Sequence, residues 1–290
     1  MNLDFLVPGF SKCGTTSLCA LLNEHPDIFI PDEKEPLFFI HADHLDKLGW
    51  YQGLFAAAPE HARCGEGSTF YSSVAHEVGS RDRIVAFNPD IKLIFIARDP
   101  IARIESSFRE YHHSGPHFGL NTPYDIETAL DALPDLLSDS CFWSRLNNYR
   151  QRIADDNILL VFLEDLQAQP DAVLMRCFEF LGVDAAYRSS NPARRLNEGE
   201  AKLFDSDLWR YLRNAPVTRQ LIARIPVPVQ DKFTQPLGLR KPFKQPIEWS
   251  AAACERVVAQ LRDEVRQILE YGGKPPDFWK RFAGLKQQVG

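Results

Sequence analysis

The sequence predicts an α/β fold with a central, mostly parallel sheet flanked by helices, and three observations predict it. Apolar runs of strand length alternate along the chain with stretches of helical spacing. The two clearest runs, KLIFIA at 92–97 and ILLVFL at 158–163, are continuously apolar instead of alternating, which is the pattern of strands buried on both faces. The first run, LDFLV at 3–7, passes through a glycine-bearing loop straight into a helical segment, as a strand does when it hands over to a crossover helix.

In order along the chain, residues 3–7 form the first strand, and Leu18, Leu21 and Leu22 give the next segment a helical face that ends at His25-Pro26. A short apolar stretch at 28–30 precedes the charged segment DEKEPLFF. An aromatic helix is expected over 44–55, and a brief strand at 62–64 runs into GEGSTFY. The strand at 92–97 ends at Arg98-Asp99-Pro100 and feeds a helix over 101–111. Loops and short helices follow at 116–137, then a helix at 142–153, the strand at 158–163, and a helix that starts at Pro170-Asp171 and stops at Gly182. Residues 188–249 read as a helical and loop region broken by prolines, with a helical patch at 203–212. The closing helix over 250–271 shows an apolar stripe at Ala253, Val257, Leu261, Val265, Ile268 and Leu269. With no repeat or long linker, residues 1–290 are expected to form a single domain.

Composition narrows the function classes. A net charge of −6 argues against a surface built to wrap nucleic acid, while leaving room for a local basic pocket for a small anion. The six cysteines include no CxxC pair and the Cys, His and Asp residues show no metal-ligand spacing, so a metal site is not expected; the thiols read as buried groups in a reducing compartment. No run has the length of a membrane span, and the N-terminal segment lacks the basic start and apolar core of a secretory signal, so a cytoplasmic location is expected.

The chemistry concentrates in two places. The first is the loop Pro8-Gly9-Phe10-Ser11-Lys12-Cys13-Gly14-Thr15-Thr16-Ser17, between the first strand and the first helix. Gly9 and Gly14 permit a tight turn, and the amides of Gly14, Thr15 and Thr16 at a helix start suit a phosphate. The loop is P-loop-like in its two glycines, but a nucleotide kinase would carry its lysine directly after the second glycine, where Thr15 stands; here the lysine is Lys12. A glycine turn with an exposed lysine is the plainer reading of the same residues.

The second is Arg98-Asp99-Pro100-Ile101-Ala102-Arg103-Ile104-Glu105-Ser106. Arg98 stands at the carboxyl end of a parallel strand, where α/β sheets bind ligands, and Ser106 lies about two helical turns further on. An arginine fork and a hydroxyl together can hold a phosphate; alternatively Arg98 simply pairs with Asp99.

With both segments in this order, the chain resembles the sulfotransferase superfamily that uses 3'-phosphoadenosine 5'-phosphosulfate (PAPS), especially its bacterial and heparan-sulfate-like branches. The likeness extends through Lys34-Glu35-Pro36-Leu37-Phe38-Phe39, Trp50-Tyr51, Gly65-Glu66, Glu164-Asp165-Leu166, Phe180-Leu181-Gly182 and the approach to Trp279. It implies a P-loop-like three-layer fold and transfer of a sulfuryl group to a hydroxyl or amine, with a carbohydrate favoured among small-molecule acceptors and adenosine 3',5'-bisphosphate (PAP) as product.

The resemblance also implies roles. Ser11, Lys12, Cys13, Gly14, Thr15, Thr16 and Ser17 would grip the 5'-phosphosulfate, with Lys12 stabilising the leaving oxygen. Arg98 and Ser106 would grip the 3'-phosphate. Glu35 matches the general base of the heparan-like branch, against the plainer reading of a surface glutamate in the run DEKE. Lys34, Glu66 and His112 are candidates for contacts to the acceptor. Gly238, Arg240 and Lys241 are the candidates for the C-terminal phosphate loop, or else ordinary basic surface. The steroid and phenol branch places a histidine base between the two motifs; His61 and His76 fall there without its context. Phe38 and Phe39 read as core. A P-loop small-molecule kinase and a non-catalytic nucleotide-binding relative are the alternative functions.

Overall fold

The computed structural model describes residues 3–33, 35–188, 202–222, 224–243 and 246–283. β1 (Phe5–Gly9) leads through residues 10–14 into α1 (Thr15–Leu22), and β2 (Ile28–Phe29) follows the break at His25-Pro26. α2 (Leu48–Gly53), β3 (Arg63–Glu66), α3 (Glu77–Phe87), β4 (Lys92–Ala97) and α4 (Pro100–His113) come next. α5 (Ile126–Ala132), α6 (Asp135–Ser138) and α7 (Phe142–Arg150) precede β5 (Ile158–Phe162), α8 (Leu163–Ala168) and α9 (Pro170–Leu181). β6 (Leu203–Asp205), α10 (Asp207–Asn214), α11 (Pro216–Ile222), α12 (Val227–Thr234) and β7 (Arg240–Pro242) then lead to α13 (Ala251–Tyr271).

Chain contacts divide the protein into two compact units. The first, residues 1–103, 137–196 and 255–290, holds a five-stranded sheet in the order β2-β3-β1-β4-β5 with every pairing parallel. β1 and β4 are neighbours near its centre, and their buried residues explain the unbroken apolar runs of the sequence: Phe5, Leu6, Val7, Phe95 and Ile96 have no exposed side-chain surface. In such a sheet the crevice at the carboxyl ends of central strands is where ligands bind, and both phosphate-like segments begin there, one after β1 and one after β4.

Most expected elements are present with small shifts of boundary. α9 stops as expected: Gly182 takes φ 74° and its amide, with that of Val183, bonds back to Phe178. The stripe on α13 is buried, each of its six residues being at most 4% exposed. The expected strand at 158–163 ends one residue early, because Leu163 begins α8. The helical patch at 203–212 divides into β6 and α10, with Ser206 capping α10 at the Trp209 amide. Helix α3 has no counterpart among the expectations. It buries Glu77, Ser80 and Arg81 alongside a single large aliphatic side chain, Ile84, so the period of its apolar residues carried no signal. Glu77 pairs with Arg145 at 2.9 Å, and Arg81 bonds to Asn148 and Gln151.

The second unit, residues 104–136 and 197–254, contains the antiparallel pair β6 and β7 with α5, α10, α11 and α12. A charged cluster organises it. Asp205 forms ion pairs with Arg213 at 2.7 Å and Arg240 at 3.1 Å, and Arg240 also meets Asp231 and the main-chain oxygen of His113. No described helix is long and apolar enough to cross a membrane.

Candidate functional site

The loop after β1 is fixed by what it buries. Phe10 is 1% exposed, stacks on Phe142 with centroids 4.6 Å apart, and donates its amide to Ile96 of β4 at 3.0 Å. Cys13 is buried as well, and burial pushes its thiol up to about 12, against the pull of Arg103 and Arg98. It therefore packs as a small apolar group and not as a nucleophile.

With Phe10 and Cys13 turned inward, the residues between them arch over two arginines. Arg103 Nε donates to the Ser11 carbonyl at 3.3 Å, and Arg98 Nη1 donates to the Lys12 carbonyl at 3.1 Å. A trans peptide carries its C=O and N–H on opposite edges, so turning the Ser11 oxygen toward Arg103 turns the Lys12 amide the other way. Lys12 itself has φ 64°, and Gly14 follows at φ 96° as the N-cap of α1.

Glycine is required at 14 on two counts. The left-handed backbone disfavours a side chain, and a Cβ there would stand 2.7 Å from Leu163 Cδ1. Thr15, Thr16 and Ser17 then form the first turn of α1, whose amides have no acceptor within the helix. The turn holds no acidic residue. These are the features of an anion cradle at a helix N-terminus.

The second segment is braced against the first. Asp99 does not take up Arg98 as its structural role: its carboxylate caps α4 by accepting from the Ala102 amide at 2.9 Å, while its own amide donates to Glu164 at 2.8 Å. Burial raises the Glu164 carboxyl, which also accepts from Trp279 Nε1 at 3.1 Å, so the Trp279 of the sequence likeness reaches this region through Glu164. Arg103, an arginine that sequence reasoning quoted without a role, is 1% exposed and joins the Ser11 carbonyl to Ser140 Oγ and Asp139, each at 3.3 Å. Its charge was legible in the sequence; its burial was not. Ser106, half-buried, sits two turns along α4, on the part of that helix assigned to the second unit.

A third group of residues lies near Cys19 of α1. Glu35 is half-buried, with φ 54°, and accepts from Thr69 Oγ1 at 3.3 Å. Glu66, at the end of β3, is 1% exposed and accepts from Tyr71 at 2.7 Å, Ser68 at 2.8 Å and Tyr51 at 3.4 Å. Burial raises its carboxyl to about 7 against the effect of those three hydroxyls, and the charge of Glu35 raises it further. Both carboxylates also act on Cys19 of α1, whose thiol burial pushes up to about 12. Glu35 and Glu66 therefore share one neighbourhood beside α1.

Several expectations are corrected. Glu66 is enclosed by hydroxyls of the protein itself, so it is not placed to touch an acceptor. His112 is 3% exposed, bonds Pro123 O at 3.0 Å and is lowered to about 4 by burial and then by Arg210, which makes it a neutral packing residue. Arg240 is committed to Asp205, Asp231 and His113, so its guanidinium is an internal strut and not a phosphate clamp. Gly238, at φ 65°, serves the turn after α12, and Lys241 is exposed on β7. Lys34 lies outside the described residues. Phe38 and Phe39 are core, at 1% and 0% exposure. The second unit also contains a cavity of about 850 Å³ lined by Phe108, His112, Tyr124, Phe204 and Phe243, with Lys241 at its wall.

The model of the sulfotransferase domain family matches residues 2–198, which spans both phosphate-like segments and the Glu35 and Glu66 neighbourhood. The chain belongs to that family. Among curated sulfotransferases, it is 27% identical over 182 residues to mouse heparan sulfate glucosamine 3-O-sulfotransferase 3A1, covering 61% of this chain and 45% of the relative. It is 26% identical over 223 residues to the mouse bifunctional heparan sulfate N-deacetylase/N-sulfotransferase 3, covering 70% of this chain and 24% of that protein. The chain thus spans less than half the length of these relatives. Among solved structures, a sulfotransferase from Alicyclobacillus acidocaldarius superposes with a TM-score of 0.65 at 17% identity, covering 97% of this sulfotransferase-family chain and 99% of that one. A mouse sulfotransferase complexed with PAP gives 0.51 at 14% identity, covering 93% and 88%. The likeness to these two is one of fold.

Proposed function

We propose that this sulfotransferase-family chain moves a sulfuryl group from PAPS to the hydroxyl or amine of an acceptor, with Lys12 at the leaving oxygen and Glu35 as the base. The observation that carries the reading is the bond from Arg98 Nη1 to the Lys12 carbonyl: the cation after β4 supports the loop after β1, at the carboxyl ends of adjacent strands. The residues present fit a doubly phosphorylated adenosine. The first-turn amides of α1 and the Lys12 ammonium suit its 5' end, and a guanidinium suits its 3'-phosphate.

The donor supplies an activated sulfur–oxygen bond. In the transfer, the acceptor's oxygen or nitrogen forms a bond to sulfur as the bond from sulfur to the 5'-phosphate oxygen breaks. Lys12 neutralises the charge that grows on that oxygen, an electrostatic task that a cation held in place performs without reorganisation. Glu35 takes the acceptor's proton, so the nucleophile gains electron density as it attacks. The half-buried setting of Glu35, beside a buried second carboxylate, supports this assignment over that of a freely solvated surface glutamate. Heparan sulfate enzymes among the relatives support a carbohydrate acceptor. The six cysteines, all free thiols, support action in a reducing, cytoplasmic setting.

A kinase is the weaker reading, because the position that a Walker loop gives to lysine is Thr15 here. The deciding experiment measures binding of PAP and of ATP by calorimetry, and transfer from labelled PAPS to a panel of oligosaccharides, amino sugars and phenols. Tight binding of PAP with transfer to one acceptor class is expected. Binding of ATP in preference to PAP, without transfer, would overturn the proposal.

A further inference from the structure

The surroundings of Glu66 give it a task that neither the donor nor the acceptor explains. Three hydroxyls point their single protons at its carboxylate: Tyr71 at 2.7 Å, Ser68 at 2.8 Å and Tyr51 at 3.4 Å. Because those protons are committed, the oxygens are left to accept from elsewhere. Ser68 Oγ accepts the Leu37 amide at 3.1 Å, and Tyr71 Oη accepts the Phe39 amide at 3.3 Å. Tyr51 lays its ring on that of Phe38, with centroids 4.0 Å apart and planes 4° from parallel. One carboxylate therefore reaches three successive residues, 37, 38 and 39, through three side chains.

Those residues follow directly on Glu35. Glu35 and Leu37 hold φ of 54° and 56°, a region that is unfavourable for non-glycine residues and persists only where the surroundings enforce it. Thr69, the neighbour of Ser68, donates to Glu35 itself. At the far side, Arg83 closes the segment by donating to the Phe39 and Ile40 carbonyls at 2.6 and 3.0 Å.

We propose that Glu66 is a positioning residue: by orienting the Ser68 and Tyr71 hydroxyls it locks residues 37–39, and so holds Glu35 where it meets the acceptor. The catalytic half of this inference rests on Glu35 being the base; the conformational half does not. Glutamine at 66 keeps the shape but replaces one acceptor oxygen with an N–H donor. At least one hydroxyl then loses its acceptor and turns its proton toward a main-chain N–H, which breaks that N–H's bond.

The test compares the wild-type chain with Glu66→Gln by amide hydrogen exchange, and by kinetics with PAPS and the acceptor found for the wild type. Exchange at Leu37, Phe39 or both is expected to quicken by roughly tenfold or more. The kcat is expected to fall by about tenfold or more while PAP affinity stays within about twofold. Unchanged exchange at both amides overturns the inference, as does faster exchange with an unchanged kcat. A wild type that transfers no sulfuryl group would defeat the proposed function instead, and exchange would still decide the conformational half. If Glu66→Gln fails to fold, Ser68→Ala removes the acceptor of the Leu37 amide alone; faster exchange at Leu37 with Phe39 still protected is expected, and equal protection at both overturns the inference.

Discussion

Arg98 donates from Nη1 to the main-chain oxygen of Lys12 at 3.1 Å, so the residue proposed for one end of the nucleotide also braces the loop proposed for the other. Sequence alone suggests that removing Arg98 chiefly weakens binding of ligands with a 3'-phosphate. The bond adds a smaller, indirect effect on the 5' end. Arg98→Ala is expected to weaken PAP by about a hundredfold, through loss of a charge-assisted contact, and adenosine 5'-phosphate by a smaller factor, through loosening of the loop. Calorimetry with both ligands checks this, and an unaltered affinity for the 5'-phosphate would show that the support given to Lys12 is idle.

Lys12 and Glu35 are expected to separate the two halves of the chemistry. Lys12→Met retains the aliphatic stem and removes the cation, which should lower kcat by roughly a hundredfold or more. Glu35→Gln should lower kcat by about the same order, as befits loss of a general base, while PAP affinity stays within about twofold. Single-turnover measurements with labelled PAPS distinguish the two. Wild-type turnover in either variant removes that residue from the reacting centre.

Arg103 contributes stability first. It is buried and holds the Ser11 carbonyl, Ser140 and Asp139, so Arg103→Ala strands polar groups in a dry interior. A loss of about 3 kcal/mol is expected, read as a lower denaturant midpoint at unchanged slope. An exposed arginine would give less than about 0.5 kcal/mol.

The parts of the fold that the sequence made legible are those whose signal is local. β1, its loop and α1 stood out because an apolar run, two glycines and leucines of helical spacing follow one another directly, and β4 because it is apolar from end to end. α3 gave no such signal, since its buried face is built from Glu77, Ser80 and Arg81, of which Glu77 and Arg81 meet Arg145 and Asn148, more than 60 positions away on α7. The same reason hid the roles of Glu66 and Arg240. Burial turns a carboxylate or guanidinium from a ligand contact into an internal strut, and their partners come from separate elements.

Gly14 tests the cradle itself. A side chain at φ 96° is strained, and its Cβ would meet Leu163 at 2.7 Å. Gly14→Ala is therefore expected to cost about 1–2 kcal/mol of stability and to reduce PAP binding by tenfold or more. Pairing it with Leu163→Ala relieves the contact but not the backbone. The double variant should recover part of the stability and little of the binding, measured by thermal melts and calorimetry; full recovery of both would mean that the left-handed conformation is not needed.

Glu66 sets stability and turnover against each other across one range of pH. Burial raises its folded-state pKa to about 7, above the value near 4.5 of the exposed group, so the folded chain holds this proton more tightly than the unfolded chain. Its contribution to stability is complete below about pH 4.5 and is lost as the pH rises toward 7, on the order of 3 kcal/mol in all. Glu77, also raised to about 7 by burial against Arg145, adds to the same downward trend. Glu66→Gln removes one of the two, so the fall in melting temperature between pH 5 and about 7.5 should be shallower than in the wild type. Turnover should move the other way, because the ionised carboxylate is the form that accepts from all three hydroxyls and keeps residues 37–39 in place. A wild-type kcat that rises over the range in which its melting temperature falls is the expected signature. Parallel stability curves for wild type and variant would show that the buried charge costs nothing, and with that the reason for surrounding it with hydroxyl donors would be gone.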